Sequence, residues 1–259
     1  VTAINSAENR LFAVKADGSL WRFDYNSFQK VQGIEDVVAV TVTNSFFVAL
    51  KTDGTLWGQG QNDYGQLADM AVNYIDVPMQ LDVADVVIEV VSTRYATVFL
   101  TDANEVKMIK NGTVTTLTQY PDIIDIEKSS WGYGMILESA NGDFTRVSIW
   151  SNSMDDWSWY FDQANQQFDV ESAYYNNNYS DVYAIITVDK ELYTQGNNNM
   201  GVLGVGHTNY VNNWTKVALN NVEKFVSGYQ NSYAITTDGE LYIWGNNNNG
   251  QICDFTTIP

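Results

Sequence analysis

The sequence predicts an all-β chain: a single β-propeller domain over residues 1–259, built from six four-stranded blades, with seven blades as the alternative. Three observations lead to this prediction: a unit that recurs six times, a period-two pattern of apolar residues inside each unit, and turn residues between the apolar segments. Each small sheet can bury both of its faces only against neighbouring sheets. We therefore expect the repeated sheets to surround a common axis.

The repeat is clearest at a turn that precedes an apolar pair. The six turns lie at Asp17-Gly18, Asp53-Gly54, Asp102-Ala103, Asn141-Gly142, Asp189-Lys190 and Asp238-Gly239. They are 36 to 49 residues apart, a period that indicates propeller blades or solenoid repeats. Asp-Gly favours a tight turn with positive φ, so we expect each turn to close a β-hairpin. Closure of the ring would place the two chain ends side by side.

Each turn separates two strand-like segments. FFVALKT, YATVFLT and VYAIITV precede turns, and TLWGQG, EVKMIK and ELYIWG follow them. Their β-branched and aromatic residues are typical of strands. A further apolar segment comes before each hairpin after the first, as in VVAVTV from Val37, and another follows several hairpins, as in WTKVAL from Trp214. This pattern predicts four strands per unit and no helix.

The net charge of the chain limits the classes of partner that it can bind. Thirteen Lys and Arg against 31 Asp and Glu give a net charge of −18, which repels phosphate backbones and anionic lipid headgroups. We therefore expect no nucleic-acid partner. No run of 18 apolar residues predicts a membrane span, and no Lys/Arg-flanked apolar leader precedes the repeats, so we expect no membrane insertion. Because the chain starts at Val1, we expect a processed or excised segment.

The residues that most enzymes need are scarce. The chain has one histidine, His207, in a loop-like segment, and one cysteine, Cys253. These residues cannot form a zinc site of the usual composition or a Ser-His or Cys-His dyad. Asp155 and Asp156 could serve as a glycosidase-type carboxylate pair, but adjacent side chains on a strand point to opposite faces. We expect a protein that is not an enzyme and that has no cofactor and no metal ion, and calcium binding by carboxylates scattered on the propeller rim stays open as an alternative.

Two segments are candidates for partner binding. Residues 151–167 hold Asp155, Asp156, Trp157, Trp159 and Tyr160, and carboxylates beside large aromatics are common to protein hot spots and sugar platforms. The same segment is equally compatible with a divergent outer strand that packs Trp157, Trp159 and Phe161 on one side.

The second candidate segment, AYYNNNYSDVY, contains Tyr174, Tyr175 and Tyr179. We expect it to span a loop between two strands. A partner-binding loop and a plain turn are both compatible with its composition.

Three units share a longer motif. They read LWGQGQNDYGQL from Leu56, LYTQGNNNMGVLG from Leu192 and LYIWGNNNNGQI from Leu241. This motif resembles the repeat of the regulator-of-chromosome-condensation family, whose rings usually have seven blades. The other three units lose most of the motif, and the His-Ser pair found in many family repeats is missing. We expect the glycines to permit unusual backbone angles and the asparagines to hydrogen-bond the loop backbone.

The resemblance implies a protein partner, because family propellers bind proteins through the loops of one face. Some relatives are exchange factors for a small nuclear GTPase, and one bacterial relative inhibits β-lactamases. Our leading hypothesis is a non-catalytic binding or structural module in an extracellular setting or on a cell or virion surface. Carbohydrate binding near Trp157 and regulation of a small GTPase are the alternatives, since a shared fold does not transmit function.

Overall fold

The computed structural model describes residues 1–7, 10–24, 27–67, 70–128, 134–149, 153–156, 159–176, 181–228, 230–250 and 252. The chain divides into two compact units. The first comprises Val1–Ala140 and Val147–Asp156, and the second comprises Asn141–Arg146 and Trp157–Pro259.

The first four sheets hold sixteen strands within the described residues, in chain order. The first sheet contains β1 (Ala3–Ala7), β2 (Arg10–Val14), β3 (Leu20–Asp24) and β4 (Ser27–Lys30). The second contains β5 (Val37–Val42), β6 (Phe46–Lys51), β7 (Leu56–Gln61) and β8 (Tyr74–Gln80). The third contains β9 (Val87–Ser92), β10 (Thr97–Thr101), β11 (Val106–Lys110) and β12 (Thr113–Thr116). The fourth contains β13 (Ile123–Lys128), β14 (Gly134–Ser139), β15 (Phe144–Ile149) and β16 (Met154–Asp156).

A helix and two sheets follow, all in the second unit. The helix, α1, covers Trp159–Gln167. The fifth sheet contains β17 (Val170–Asn176), β18 (Val182–Thr187), β19 (Leu192–Gly196) and β20 (Val211–Lys216). The sixth contains β21 (Val222–Ser227), β22 (Asn231–Thr236) and β23 (Leu241–Gly245).

The predicted fold class is confirmed: the chain is nearly all β, and its six sheets are the blades of a β-propeller fold. In each sheet, strands that follow one another in the sequence are neighbours and pair antiparallel. The described residues give six blades rather than seven, and the sixth blade has three strands among them. Because residues 253–259 lie outside the described residues, the meeting of the chain ends stays a prediction.

The hydrophobic core lies between neighbouring sheets, as expected for sheets that cannot shield their own faces. In β6, Phe47 and Ala49 pack with residues of the first sheet, whereas Phe46 and Val48 pack with residues of the third. Further clusters join the third sheet to the fourth and the fifth to the sixth. A central strand with two buried faces explains why FFVAL reads as a continuous apolar run.

The hairpin turns have three loop residues, of which the third is left-handed. In the second sheet, Lys51 N–H donates to Thr55 O (3.0 Å), and Gly54 has φ 78°. Such a turn is a common hairpin connection. The third turn was predicted one residue early, because its left-handed residue is Asn104 (φ 58°) and not a member of the Asp102-Ala103 pair. Asparagine tolerates this conformation better than most residues, so no glycine is needed.

The shared motif builds a loop after the third strand of three sheets. Gly60, Gly196 and Gly245 have φ between 113° and 120°, and the space beside each Cα is filled by a backbone carbonyl of the loop between the first two strands. One asparagine of the motif then accepts a hydrogen bond from a buried backbone N–H five residues later. These pairs are Asn62 with Leu67 (2.8 Å), Asn198 with Leu203 (2.9 Å) and Asn247 with Ile252 (2.9 Å). The predicted role of the asparagines is confirmed.

Candidate functional site

The aromatic segment at residues 151–167 contains a helix, and the prediction of a strand there is wrong for residues 159–167. Phe161 and Ala164, three residues apart, are both buried on one helical face. The Gln and Ala residues of this stretch favour a helix, and they outweigh its aromatic residues. Trp157 lies outside the described residues, as do the side chains of Asp155, Asp156, Trp159 and Tyr160. A binding role for those five stays a prediction.

Phe161 anchors α1 on the fifth sheet. Its ring meets Tyr183 edge-on at 5.9 Å between centroids and lies 6.2 Å from Trp214. Asn165 Nδ2, one turn later in the helix, donates to Phe144 O (3.4 Å). The helix therefore covers part of the fifth sheet.

Tyr174 and Tyr175 lie in β17, so the prediction of a loop is wrong for this part of the segment. Tyr175 is 1% exposed: its hydroxyl donates to Asp181 Oδ1 (2.7 Å), and the Arg146 guanidinium lies 3.6 Å from its ring centre. Burial raises the pKa of Tyr175 above its ordinary value. Tyr174 donates to Ser227 O (2.6 Å) of the sixth sheet. Val170, Ser172 and the Ala-Tyr-Tyr run that follows are compatible with a strand. The asparagine run after them favours a loop, and this led to the wrong prediction.

Tyr179 lies outside the described residues, and its role stays a prediction. His207 is exposed in the loop before β20, where its Nδ1 accepts a hydrogen bond from Asn209 N–H (3.2 Å). This hydrogen bond stabilises the loop, and the exposure of His207 agrees with the predicted position in a surface loop.

Sequence reasoning missed a carboxylate pair in the first unit, formed by Glu89 of β9 and Asp125 of β13. Burial raises the pKa of Glu89 to about 8, and Asp125 and Glu127 add to the rise, whereas a hydrogen bond from Ile126 N–H to Glu89 Oε2 (2.9 Å) opposes it. Glu138, which pairs with Asp125 across the sheet, also has a raised pKa because of burial. Glu89 can therefore hold a proton at neutral pH, with Asp125 as a hydrogen-bond partner.

Glu89 also belongs to a series of equivalent hydrogen bonds between the first strands of neighbouring sheets. In the first unit, β1, β5 and β9 each carry one polar side chain that accepts a hydrogen bond from a backbone N–H in the first strand of the next sheet. These hydrogen bonds run from Val42 to Asn5 (3.1 Å), from Ser92 to Thr41 (2.8 Å) and from Ile126 to Glu89 (2.9 Å). Among the described residues, no group of three or more His, Cys, Asp or Glu side chains could hold a metal ion. The lone acidic residue in the apolar run VVIEVV was the available sequence signal.

An apolar row lies near the start of the first strands in the first unit. In β5, β9 and β13, the second residue is the extra residue of a β-bulge: Val38, Ile88 and Ile124 respectively. These residues are 44%, 50% and 47% exposed. We call these three residues the bulge row. Because β5 packs beside β9 and β9 beside β13, the row crosses three neighbouring blades.

In the second unit, β-bulges at the same position of the first strand carry acidic residues. The extra residues are Glu171 in β17 and Glu223 in β21. Lys190 Nζ lies 2.6 Å from Glu171 Oε1 and 3.0 Å from Glu223 Oε2, so one lysine pairs with both. Apolar side chains at this position are therefore a property of the first unit.

Within the described residues, no helix has the length and apolar character needed to cross a membrane. No curated protein matches the sequence. The model of the regulator of chromosome condensation (RCC1) repeat matches residues 37–66 and 222–251. These are the first three strands and the asparagine loop of the second and sixth blades.

Solved structures extend the similarity to almost the whole chain. Prp20p from Saccharomyces cerevisiae is 12% identical, with a TM-score of 0.72, and the match covers 94% of this chain and 71% of that one. The chain therefore has a β-propeller fold similar to that of the RCC1 proteins. Human WBSCR16 is 15% identical, with a TM-score of 0.64, over 84% of this chain and 64% of that one. At these identities, the RCC1-like propeller shares a fold with both proteins, and its function has to be argued from its own surface.

Proposed function

We propose that this RCC1-like propeller is a non-catalytic module that binds another protein. The bulge row carries the proposal, because three apolar side chains are held in solvent at one repeated position. Exposed apolar groups on neighbouring elements are typical of interaction sites. A backbone bulge, which is a retained feature in protein families, fixes where each side chain points.

The solved relatives support a protein partner. Prp20p is described with binding properties toward Gsp1p and histones, and a second structure shows yeast RCC1 (Prp20) bound to Kap60. We propose in addition that the module acts extracellularly or on a cell or virion surface. A low lysine content and an abundance of Asn, Thr and Tyr support this setting.

Cross-linking in the native source tests the function. The purified chain is cross-linked in the medium and in the surface fraction of its source, and each adduct is then identified by mass spectrometry. We expect a recurrent protein adduct whose purified form binds the chain in biolayer interferometry. An absence of any such protein, together with specific retention on a glycan array, would contradict the proposal and favour carbohydrate binding.

A second function, nucleotide exchange on a small GTPase, is favoured by the fold similarity to Prp20p. It is tested by the release of a fluorescent guanine nucleotide from a purified small GTPase of the same source. Release at the uncatalysed rate removes this alternative, whereas clear acceleration makes it the leading function.

A further inference from the structure

The bulge row lies at the end of the blades that carries the hairpin turns. Thr52 N–H in the turn of the second sheet donates to Asp36 O (2.9 Å), two residues before Val38. Ala140 N–H in the turn of the fourth sheet likewise donates to Asp122 O (2.8 Å), two residues before Ile124. The row and the turns therefore share one end of the first unit.

Exposed carboxylates border the row at this end. Asp36 and Asp122 directly precede β5 and β13, both with left-handed backbone (φ 59° and 56°). Asp53 and Asp102 lie exposed in the turns of the second and third sheets. Hydrogen bonds from Thr55 hold the pKa of Asp53 below its ordinary value, so its negative charge persists in mildly acidic solution.

The lysines near the bulge row contact carboxylates or an aromatic ring of the same chain. Lys107 Nζ lies 2.6 Å from Asp85 Oδ1 and 3.1 Å from Glu105 Oε2, and Lys51 Nζ lies 5.3 Å from the centre of the Trp57 ring. With four exposed carboxylates nearby and a chain charge of −18, the field over the row is negative.

We propose that the bulge row and its carboxylate border bind a segment of a protein partner that combines apolar with basic side chains. This inference rests on the proposed protein-binding function and names the surface and the chemistry of the partner. Apolar side chains of the segment contact Val38, Ile88 and Ile124, and its Lys or Arg residues face Asp36 and Asp122. Complementary charge at the rim steers association and selects the partner, while the apolar contacts supply most of the affinity.

Selection from a displayed library of random linear peptides tests the proposal on the full chain. We expect the enriched peptides to combine Lys or Arg with Leu, Ile or Phe. Their synthetic forms should bind in biolayer interferometry, and the affinity should weaken as sodium chloride is raised, because exposed charge pairs are screened.

Two matched triple variants locate the site. Val38→Ser, Ile88→Ser and Ile124→Ser together should weaken the selected peptides by about tenfold or more. The control combines Val77→Ser, Met79→Ser and Val114→Ser, which are exposed apolar residues on the outer strands β8 and β12. The control should change affinity less than about twofold, since surface substitutions elsewhere have small effects. Circular dichroism should show both variants folded, because all six side chains are exposed.

A further variant tests whether the carboxylates beside the bulge row are required for binding. Asp36→Asn with Asp122→Asn keeps residues that accept left-handed backbone, removes two charges, and should weaken basic peptides by about threefold to tenfold. Enrichment of acidic or uncharged peptides, no enrichment at all, or equal losses in the two serine triples would each overturn the proposal. A protein partner found by cross-linking whose binding survives the bulge-row triple would leave the proposed function standing and reject this surface.

Discussion

The first and second units use one backbone device with different side chains. In β5, β9 and β13 of the first unit and in β17 and β21 of the second, the first strand of the blade has a β-bulge at its second residue, and that residue is exposed. In the first unit the residue is Val38, Ile88 or Ile124, whereas in the second it is Glu171 or Glu223 paired with Lys190. The repeat therefore fixes the backbone conformation at this position. The side chain there decides whether the residue pairs with a lysine of the same chain or remains exposed to a partner.

The largest expected effect tests whether the two units share their backbone design. At Gly60 in the first unit and at Gly196 in the second, a Cβ atom would overlap the carbonyl oxygens of Ser45 and Asp181. Gly60→Ala and Gly196→Ala should each lower the free energy of unfolding by about 3 kcal/mol or more, because backbone strain adds to a clash with backbone atoms. Denaturant unfolding followed by circular dichroism measures both.

Gly142 is the matched control for these two glycines. It also has positive φ (84°), but no atom lies within 4 Å of a Cβ built there. Gly142→Ala should cost about 1–2 kcal/mol, the strain of left-handed backbone alone. A cost at Gly60 or Gly196 no greater than at Gly142 would show that the close approach is not what requires glycine.

The next effect is confined to the first unit and depends on pH. Glu89 has a folded-state pKa of about 8 against an ordinary value of 4.5, so the folded chain holds a proton that the unfolded chain releases. Its stabilisation is complete below about pH 4.5 and is lost as the pH rises through 8. The free energy of unfolding should fall over this interval by an amount on the order of a few kcal/mol.

Glu89→Gln should flatten this decline, since a neutral amide oxygen can still accept the Ile126 N–H. Glu138→Gln, at a second group whose pKa is raised by burial, should flatten it less. Urea unfolding of the three proteins from pH 5 to pH 9 gives the comparison. Parallel curves for the wild type and Glu89→Gln would refute the assignment of the proton to Glu89.

The asparagine loops should again make the two units behave alike. Asn62 and Asn198 each accept a backbone N–H and donate to a loop carbonyl, that of Val72 or His207. Asn62→Ala and Asn198→Ala should each cost about 1–3 kcal/mol, because buried backbone groups lose their partners. Asn199→Ala, at the exposed neighbouring position, should stay within about 0.5 kcal/mol of the wild type in thermal unfolding.

The smallest effect concerns the acidic bulges. Glu171→Gln with Glu223→Gln removes two exposed ion pairs of Lys190 and should leave the midpoint of urea unfolding almost unchanged, because exposed ion pairs contribute little to stability. High salt should abolish the difference. A larger, salt-independent loss would mean that the glutamates hold the second unit together rather than occupy an open position.

Most of the fold could be predicted from the sequence, because each blade is a local meander. Turn residues, β-branched runs and asparagine loops lie within one repeat, so their spacing predicts the hairpins and the six blades. The helix was missed because Trp157, Trp159 and Phe161 alternate as they would in a strand, while its helical preference comes from the less conspicuous Gln and Ala residues.

The candidate site could not be predicted in the same way, because its members come from different repeats. Glu89 and Asp125 are 36 residues apart, and Val38 and Ile88 are 50 apart, so only the packing of neighbouring blades places their strands side by side. The bulge residues also have apolar neighbours on at least one side in the sequence. In such segments, an exposed residue differs from a buried neighbour only by the register shift, which the sequence pattern does not show.

Hydrogen–deuterium exchange on the complex with its cross-linked partner shows which surface of the chain the partner covers. We expect slower exchange in the segments that carry the bulge row, residues 36–39, 86–89 and 122–125, and unchanged exchange at residues 170–172 and 222–224 of the second unit. Protection of the second unit's acidic bulges, or of the outer strands β8 and β12 without the bulge row, would contradict this prediction.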